Sequence, residues 1–212
     1  MSKKRFNKTS QAWLKEHSSD IYVKQAHLAG YRSRAVYKLA QIEARDHLFH
    51  PNMTVIDLGA APGGWSQWIT QHLHHKVTIF ALDILPLEPL PGVTFIQGDF
   101  RESTIVDNLL NQLEHNKVDL VISDMAPNIS GIKDFDQPRI MLLAELAKDF
   151  ALKVLAPQGH FLTKIFQGEG FDDYIKELRT CFKPVVIRKP TASRSRSSEV
   201  YVLAKNYSRN PS

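Results

Sequence analysis

Lys164 stands in "FLTKIF", a charge inside an otherwise apolar run. Burying an ammonium among apolar neighbours is unfavourable unless it has a partner or a task. The alternative is a lysine that snorkels from the strand end to solvent. Asp124 closes a second apolar run, "VISDMAP", and Glu199 opens a third, "EVYVLA". Lys38 belongs to a basic helical segment near the N-terminus and is expected to face outward. In open α/β sheets the chemistry gathers at the carboxyl ends of strands, where Asp124 and Lys164 would lie.

A second group surrounds "VIDLGAAPGGWSQWI", a hydrophobic run, a glycine-rich elbow and a helix. The elbow reads Gly59-Ala60-Ala61-Pro62-Gly63-Gly64. A dinucleotide site needs glycine where the backbone approaches the pyrophosphate and free amides to bind it. Ala61 puts a Cβ there and Pro62 removes a donor. A ligand with a nucleoside at one end and an uncharged or cationic half at the other suits this loop better. S-adenosylmethionine (SAM) has that shape, and Asp57 could counter its cationic half. Asp83 ends the next apolar run, 24 residues beyond Gly59, where an acid can accept from both ribose hydroxyls. Asp99, after the third run, could accept from an adenine amino group. Each acid alone reads equally well as a helix cap or turn residue. The elbow, Asp83 and Asp99 at three successive strand ends together point to a nucleoside-type cofactor.

The elements that must position these residues alternate. Strand-like runs fall at 53–58, 77–83, 93–96, 118–123, 159–166, 184–188 and 199–204, with helical periodicity at 64–74, 103–115, 137–155 and 171–181. Such alternation predicts a doubly wound α/β sheet with helices on both faces. Only "PTASRSRSS" separates the last two runs, too little for a parallel crossover. The seventh strand must therefore pair antiparallel or leave the sheet. Six parallel strands and an antiparallel seventh describe the Rossmann-like fold of SAM-dependent methyltransferases. With 212 residues the chain has room for one domain, expected at 31–206, behind a basic, partly flexible extension (1–30) and before a tail (207–212).

No apolar run approaches a membrane span, and the lone Cys181 cannot close an intramolecular disulfide. A cytoplasmic location is expected. Charge is segregated: residues 1–45 carry ten Lys/Arg against three Asp/Glu, residues 183–212 seven against one, and the middle ten against eighteen. Basic ends around an acidic middle are the footprint of a polyanion partner. Residues 34, 38, 41 and 45 share one helical face, opposite the apolar stripe Ala35, Leu39 and Ile42. Arg32 and Arg34, with Arg194 and Arg196 of "RSRSS", are the candidate RNA contacts. His72, His74 and His75 lack a nearby Cys or carboxylate set, so no metal site is expected. Trp68 reads as core.

The stretches "DLGAAPGGWSQ", "SDMAPNISG", "KIFQGEGFD" and "RKPTASRSRSSEVY" resemble the FtsJ/RrmJ family of ribosomal RNA 2′-O-ribose methyltransferases, of the bacterial large-subunit uridine type. The likeness runs from "RSRAVYKL" to the last strand. It implies a Lys-Asp-Lys-Glu tetrad at Lys38, Asp124, Lys164 and Glu199, with cofactor contacts at Gly63, Trp65, Asp83, Asp99 and Asp124. It also implies SAM as methyl donor and a uridine of 23S rRNA in the assembled 50S subunit as acceptor, not DNA. Lys164 would then accept or orient the hydroxyl proton. Burial and Lys38 favour loss of its own proton, while Asp124 and Glu199 oppose it. A monomer is expected. The competing readings are a non-catalytic RNA-binding assembly factor, which predicts an eroded tetrad, and a small-molecule methyltransferase, which predicts an inserted lid.

Overall fold

Each apolar run becomes a strand and each intervening amphipathic segment a helix, because the hydrophobic period changes from two to about 3.6 between them. The computed structural model describes residues 20–113, 117–194 and 197–208. Within them the elements are α1 (Ile21–Leu28), α2 (Val36–Asp46), β1 (Met53–Leu58), α3 (Gly64–His72), β2 (Val77–Asp83), β3 (Val93–Gln97), α4 (Ser103–Leu113), β4 (Val118–Ser123), α5 (Lys133–Val154), β5 (Leu155–Phe166), α6 (Phe171–Cys181), β6 (Val185–Arg188) and β7 (Glu199–Ala204).

The strands form one sheet in the order β3-β2-β1-β4-β5-β7-β6. β1 runs parallel to β2 and β4, β2 to β3, and β4 to β5. β7 is antiparallel to both neighbours, as its short connection requires, and inserts between β5 and β6. Strand order reverses at β1 and β4, which opens a crevice beyond their carboxyl ends.

Two cores sandwich the sheet. On one face Leu39 and Ile42 of α2 and Trp65 and Ile69 of α3 pack on Val55, Ile79, Leu120, Ile122, Leu162, Tyr201 and Leu203. On the other, α4, α5 and α6 cover Ile56, Leu58, Phe80, Val121, Phe161, Ile165 and Val202. Alternate strand residues thus go to opposite layers.

Several boundaries differ from the sequence reading. Helical periodicity in the sequence starts at 137, but α5 begins at Lys133 and carries Pro138 inside it. β5 starts at Leu155, which pairs with Val118 ahead of a register irregularity. The stretch assigned to a partly flexible extension contains α1, whose Asp20 side chain caps it through Tyr22 N at 2.9 Å and whose Ala26 is buried. Residues 1–19 lie outside the described residues. Tyr207, assigned to the tail, is core: it packs on Phe182 and donates to Leu152 O at 3.0 Å. An aromatic with a buried polar partner extends the domain past 206.

Candidate active site

In register, Lys164 of β5 faces Tyr201 of β7, and Phe166 faces Glu199. Leu162, Tyr201 and Leu203 point into the α2–α3 layer, so the two-residue alternation sends Lys164 and Glu199 to the same face. There Lys164 Nζ lies 2.9 Å from Asp124 Oδ1, with a side chain only 9% exposed. It also donates to the Asp124 carbonyl. The Tyr201 hydroxyl donates to Asp124 Oδ1 at 2.9 Å.

Lys38 reaches the same cluster from α2. Its Nζ lies 2.7 Å from Glu199 Oε1 and 5.7 Å from the centroid of the Tyr201 ring. Glu199 Oε1 also accepts from Ser193 Oγ at 2.8 Å. The expectation that Lys38 faces outward is therefore corrected: Thr191, Ala192 and Glu199 pack against its side of α2. Gln41, on the same helical face, accepts from Thr191 Oγ1 at 3.0 Å. Burial pushes the Asp124 carboxyl up, but the charges of Lys164 and Lys38 and the hydrogen bonds from Lys164 and Tyr201 outweigh it and hold Asp124 below the usual carboxylate range. Burial, then the neighbouring Asp124 and Glu199, raises Tyr201 well above its ordinary value. It remains a proton donor to Asp124 throughout the working range. Two lysines and two carboxylates thus gather around one phenol, an arrangement in which a lysine could orient an acceptor hydroxyl and, once neutral, take its proton.

Beside this cluster is a pocket lined by Ser33, Ala35, Asp57, Gly59, Ala60, Ala61, Pro62, Gly64, Trp65 and Asp124. The elbow amides are already engaged. Gly59 N and Ala60 N donate to Leu82 O at 2.9 and 3.2 Å, Ala61 N to Asp83 Oδ2 at 2.8 Å, and Gly63 N to Ala60 O at 2.6 Å. With Pro62 lacking a donor, the loop is a poor diphosphate cradle, as its sequence suggested. It is matched instead to a cation. Asp57 is 1% exposed, and its Oδ2 accepts from Ser66 Oγ at 2.7 Å, but Oδ1 is buried with no hydrogen-bond partner among the described residues. Burial, together with the nearby Asp124 and Asp83 charges, raises its pKa to about 7 against the pull of Ser66. A cationic amino-acid group would satisfy that oxygen, so these residues fit SAM.

The other predicted residues take varied places. Trp65 lines the pocket and donates Nε1–H to Ala35 O at 2.9 Å. Gly59 has φ +77° and crosses the chain at Met125, where an added Cβ would meet the backbone N at 2.9 Å. Gly63, with φ +99°, faces Arg32, Leu87 and Leu90 rather than the pocket. Asp83 sits at the end of β2, where Oδ1 also accepts from Leu85 N at 2.8 Å; its remaining lone pairs stay available. Asp99 is bound by Arg101, a partner the sequence reading missed. The side-chain and backbone hydrogen bonds from Arg101 lower its pKa, and the exposed arginine leaves it approachable.

Two arginines expected on RNA are engaged within the protein. Arg32 donates to Glu88 O at 2.6 Å, Pro89 O at 3.0 Å and Pro62 O at 3.3 Å, fastening the β2–β3 loop to the elbow. Arg34 pairs with Asp20 and donates to Ala192 O. Arg194 lies in the turn closed by Ser197 N to Arg194 O at 3.0 Å, while Arg196 lies outside the described residues. Tyr201, which joins the cluster through Asp124, was not singled out in the sequence, where it reads as a strand aromatic.

An FtsJ-like methyltransferase family model matches residues 31–207. The chain belongs to the FtsJ-like methyltransferase family. It is 54% identical over 200 residues to the ribosomal RNA large subunit methyltransferase E of Legionella pneumophila (strain Paris), covering 94% of this chain and 97% of that one. The protein of the same name from Hydrogenovibrio crunogenus is 56% identical over 199 residues, with the same coverage. Among solved structures, a putative ribosomal RNA methyltransferase from Plasmodium falciparum superposes with TM-score 0.75 at 29% identity, over 84% of this chain and 98% of that one. Human methyltransferase-like protein 13, solved with SAH, matches at TM-score 0.57 and 13% identity over 84% and 82%, a likeness of fold. As an FtsJ-like methyltransferase, the chain is an enzyme that uses SAM as methyl donor.

Proposed function

We propose that this methyltransferase modifies the 2′-hydroxyl of a uridine ribose in 23S rRNA, acting as a cytoplasmic monomer on the large ribosomal subunit. The observation that carries the reading is the Lys164–Asp124 pair at 2.9 Å beside the Asp57 pocket. An ammonium beside the cofactor pocket supports an acceptor hydroxyl there. The relatives named as large-subunit rRNA methyltransferases support rRNA as substrate, and the intact tetrad disfavours a non-catalytic assembly factor. A 2′-hydroxyl as acceptor restricts the substrate to RNA.

Bound SAM supplies an electrophilic methyl group. The chain must hold the acceptor oxygen at near-attack distance, about 3–3.5 Å, and keep its lone pair aimed. Asp124 fixes the position of Lys164 and Tyr201 fixes Asp124, so Lys164 Nζ has one direction in which to meet the hydroxyl. Lys164 orients that oxygen and takes its proton once its own has been released. Lys38, paired with Glu199, adds positive potential from the far side.

Labelled SAM incubated with large subunits from cells lacking this protein, followed by nucleoside digestion and mass analysis, tests the reading. A 2′-O-methyluridine formed by wild type and not by Lys164→Ala is expected. Absence of transfer to subunits and to free rRNA, with SAM binding intact, would favour the assembly-factor alternative.

A further inference from the structure

The loop between β4 and α5, residues 124–132, begins at an active-site carboxylate and is fastened by two residues of the helix that follows. Asp136, nearly fully buried, accepts from Ser130 N and Oγ, each at 2.9 Å, and from Gly131 N at 2.8 Å. Arg139 Nη1 donates to Asn128 O at 3.0 Å. Gln137 Nε2 donates to Glu169 O at 2.9 Å, in the loop that leaves β5 beyond Lys164. The start of α5 is therefore tied to both loops that leave the active-site strands.

This rigid corner nevertheless turns apolar surface outward. Ile129 is 53% exposed, Ile132 64% and Phe135 57%. Phe135 carries the Arg139 guanidinium over its ring at 5.3 Å. Isolated exposed apolar residues need no explanation, but here three fall within seven positions of a segment held by the hydrogen bonds of Asp136 and Arg139. An unneeded surface would not require such fixing. An aromatic ring backed by a guanidinium, on a helix tied to both loops that leave the active-site strands, matches the chemistry of an unstacked base. Residues 128–139 carry two basic and two acidic side chains, so the corner has no net charge with which to attract phosphate.

We infer that Ile132, Phe135 and Arg139 form a stacking platform for an unpaired base adjoining the nucleotide that is modified. This rests on the RNA acceptor proposed above. The platform holds the neighbouring base, so the target ribose enters the crevice from a fixed direction. Its contribution is stacking rather than counterion release.

Transfer to large subunits is to be compared for wild type, Phe135→Ala and Phe135→Trp at several salt concentrations, with SAM affinity measured alongside. Phe135→Ala should raise KM for subunits roughly tenfold with kcat and SAM affinity preserved. The slope of binding against salt should stay at the wild-type value, since no phosphate contact is lost. Phe135→Trp should behave nearly as wild type. A photocrosslinking benzoyl-phenylalanine at position 135 should form an adduct with rRNA in the same subunits. An unchanged KM in Phe135→Ala, an adduct with a ribosomal protein, or no adduct would overturn the platform. The crosslink is read without methyl transfer, so an RNA adduct without methylated product would sink the acceptor reading and leave the platform standing.

Discussion

The Tyr201 hydroxyl and Asp124 Oδ1 meet at 2.9 Å, and this is the same oxygen that Lys164 contacts. Two donors on one oxygen fix the carboxylate more firmly than an ion pair alone, because the phenol sets direction as well as charge. Tyr201→Phe keeps the ring under Lys38 and removes only the hydroxyl. It should lower the single-turnover rate by about tenfold with SAM affinity retained. Losing a hydrogen bond that stabilises the carboxylate raises the Asp124 pKa, so the acid limb of the pH–rate profile should move to higher pH. An unmoved acid limb would mean that Tyr201 is packing only.

Lys38 and Glu199 are a half-buried pair at 2.7 Å. Removing one partner strands the other charge, whereas removing both does not. Lys38→Met and Glu199→Gln should each lower thermal stability, and the double substitution should lose less than the sum. A coupling of about 1–3 kcal/mol is expected in a denaturation cycle. Simple additivity would show that the pair is not structural.

Asp57 links cofactor binding to pH. Its folded pKa, about 7, lies above the ordinary value of 3.8, so the neutral form is the one the cofactor-free fold favours. The associated stability is fully present below about pH 4 and is lost as pH rises through about 7. Asp57→Asn should flatten that loss in cofactor-free protein. A bound cation favours the carboxylate, so SAM affinity should rise with pH up to about 7 or beyond and binding should release protons there. Calorimetry in buffers of different ionisation enthalpy reads this directly. Proton-independent binding would place the cation elsewhere.

Arg32 holds the elbow and the β2–β3 loop together through Pro62, Glu88 and Pro89 carbonyls. Arg32→Ala should weaken SAM binding several-fold and leave the salt dependence of RNA binding unchanged. Arg194→Ala should do the reverse, reducing the salt slope by about one. A reduced slope in Arg32→Ala would return that residue to the RNA surface.

The parts that were legible in the sequence were those whose cause is local. The period of the apolar runs gave the sheet, the short link before Glu199 gave the antiparallel strand, and a lysine among apolar residues gave the place of Lys164. What was not legible depends on which surface covers another. Arg34 and Lys38 have the spacing of a solvent-facing stripe, and nothing in α2 itself announces that Ala192 and Glu199 will meet it. Arg101 gives no signal that it will take Asp99. Tyr201 reads as an ordinary strand aromatic until the register sets it opposite Lys164.

β7 occupies an interior place in the sheet although it is the last strand in chain order, and β6 has β7 as its neighbour at the edge. Until β7 threads between β5 and β6, neither Glu199 nor Tyr201 is in position and Asp124 has only Lys164. A partly assembled sheet can thus build the elbow and its pocket before it can build the catalytic cluster. Competence to bind the donor should arise earlier in folding than competence to use it, and activity reports that the final strand has locked.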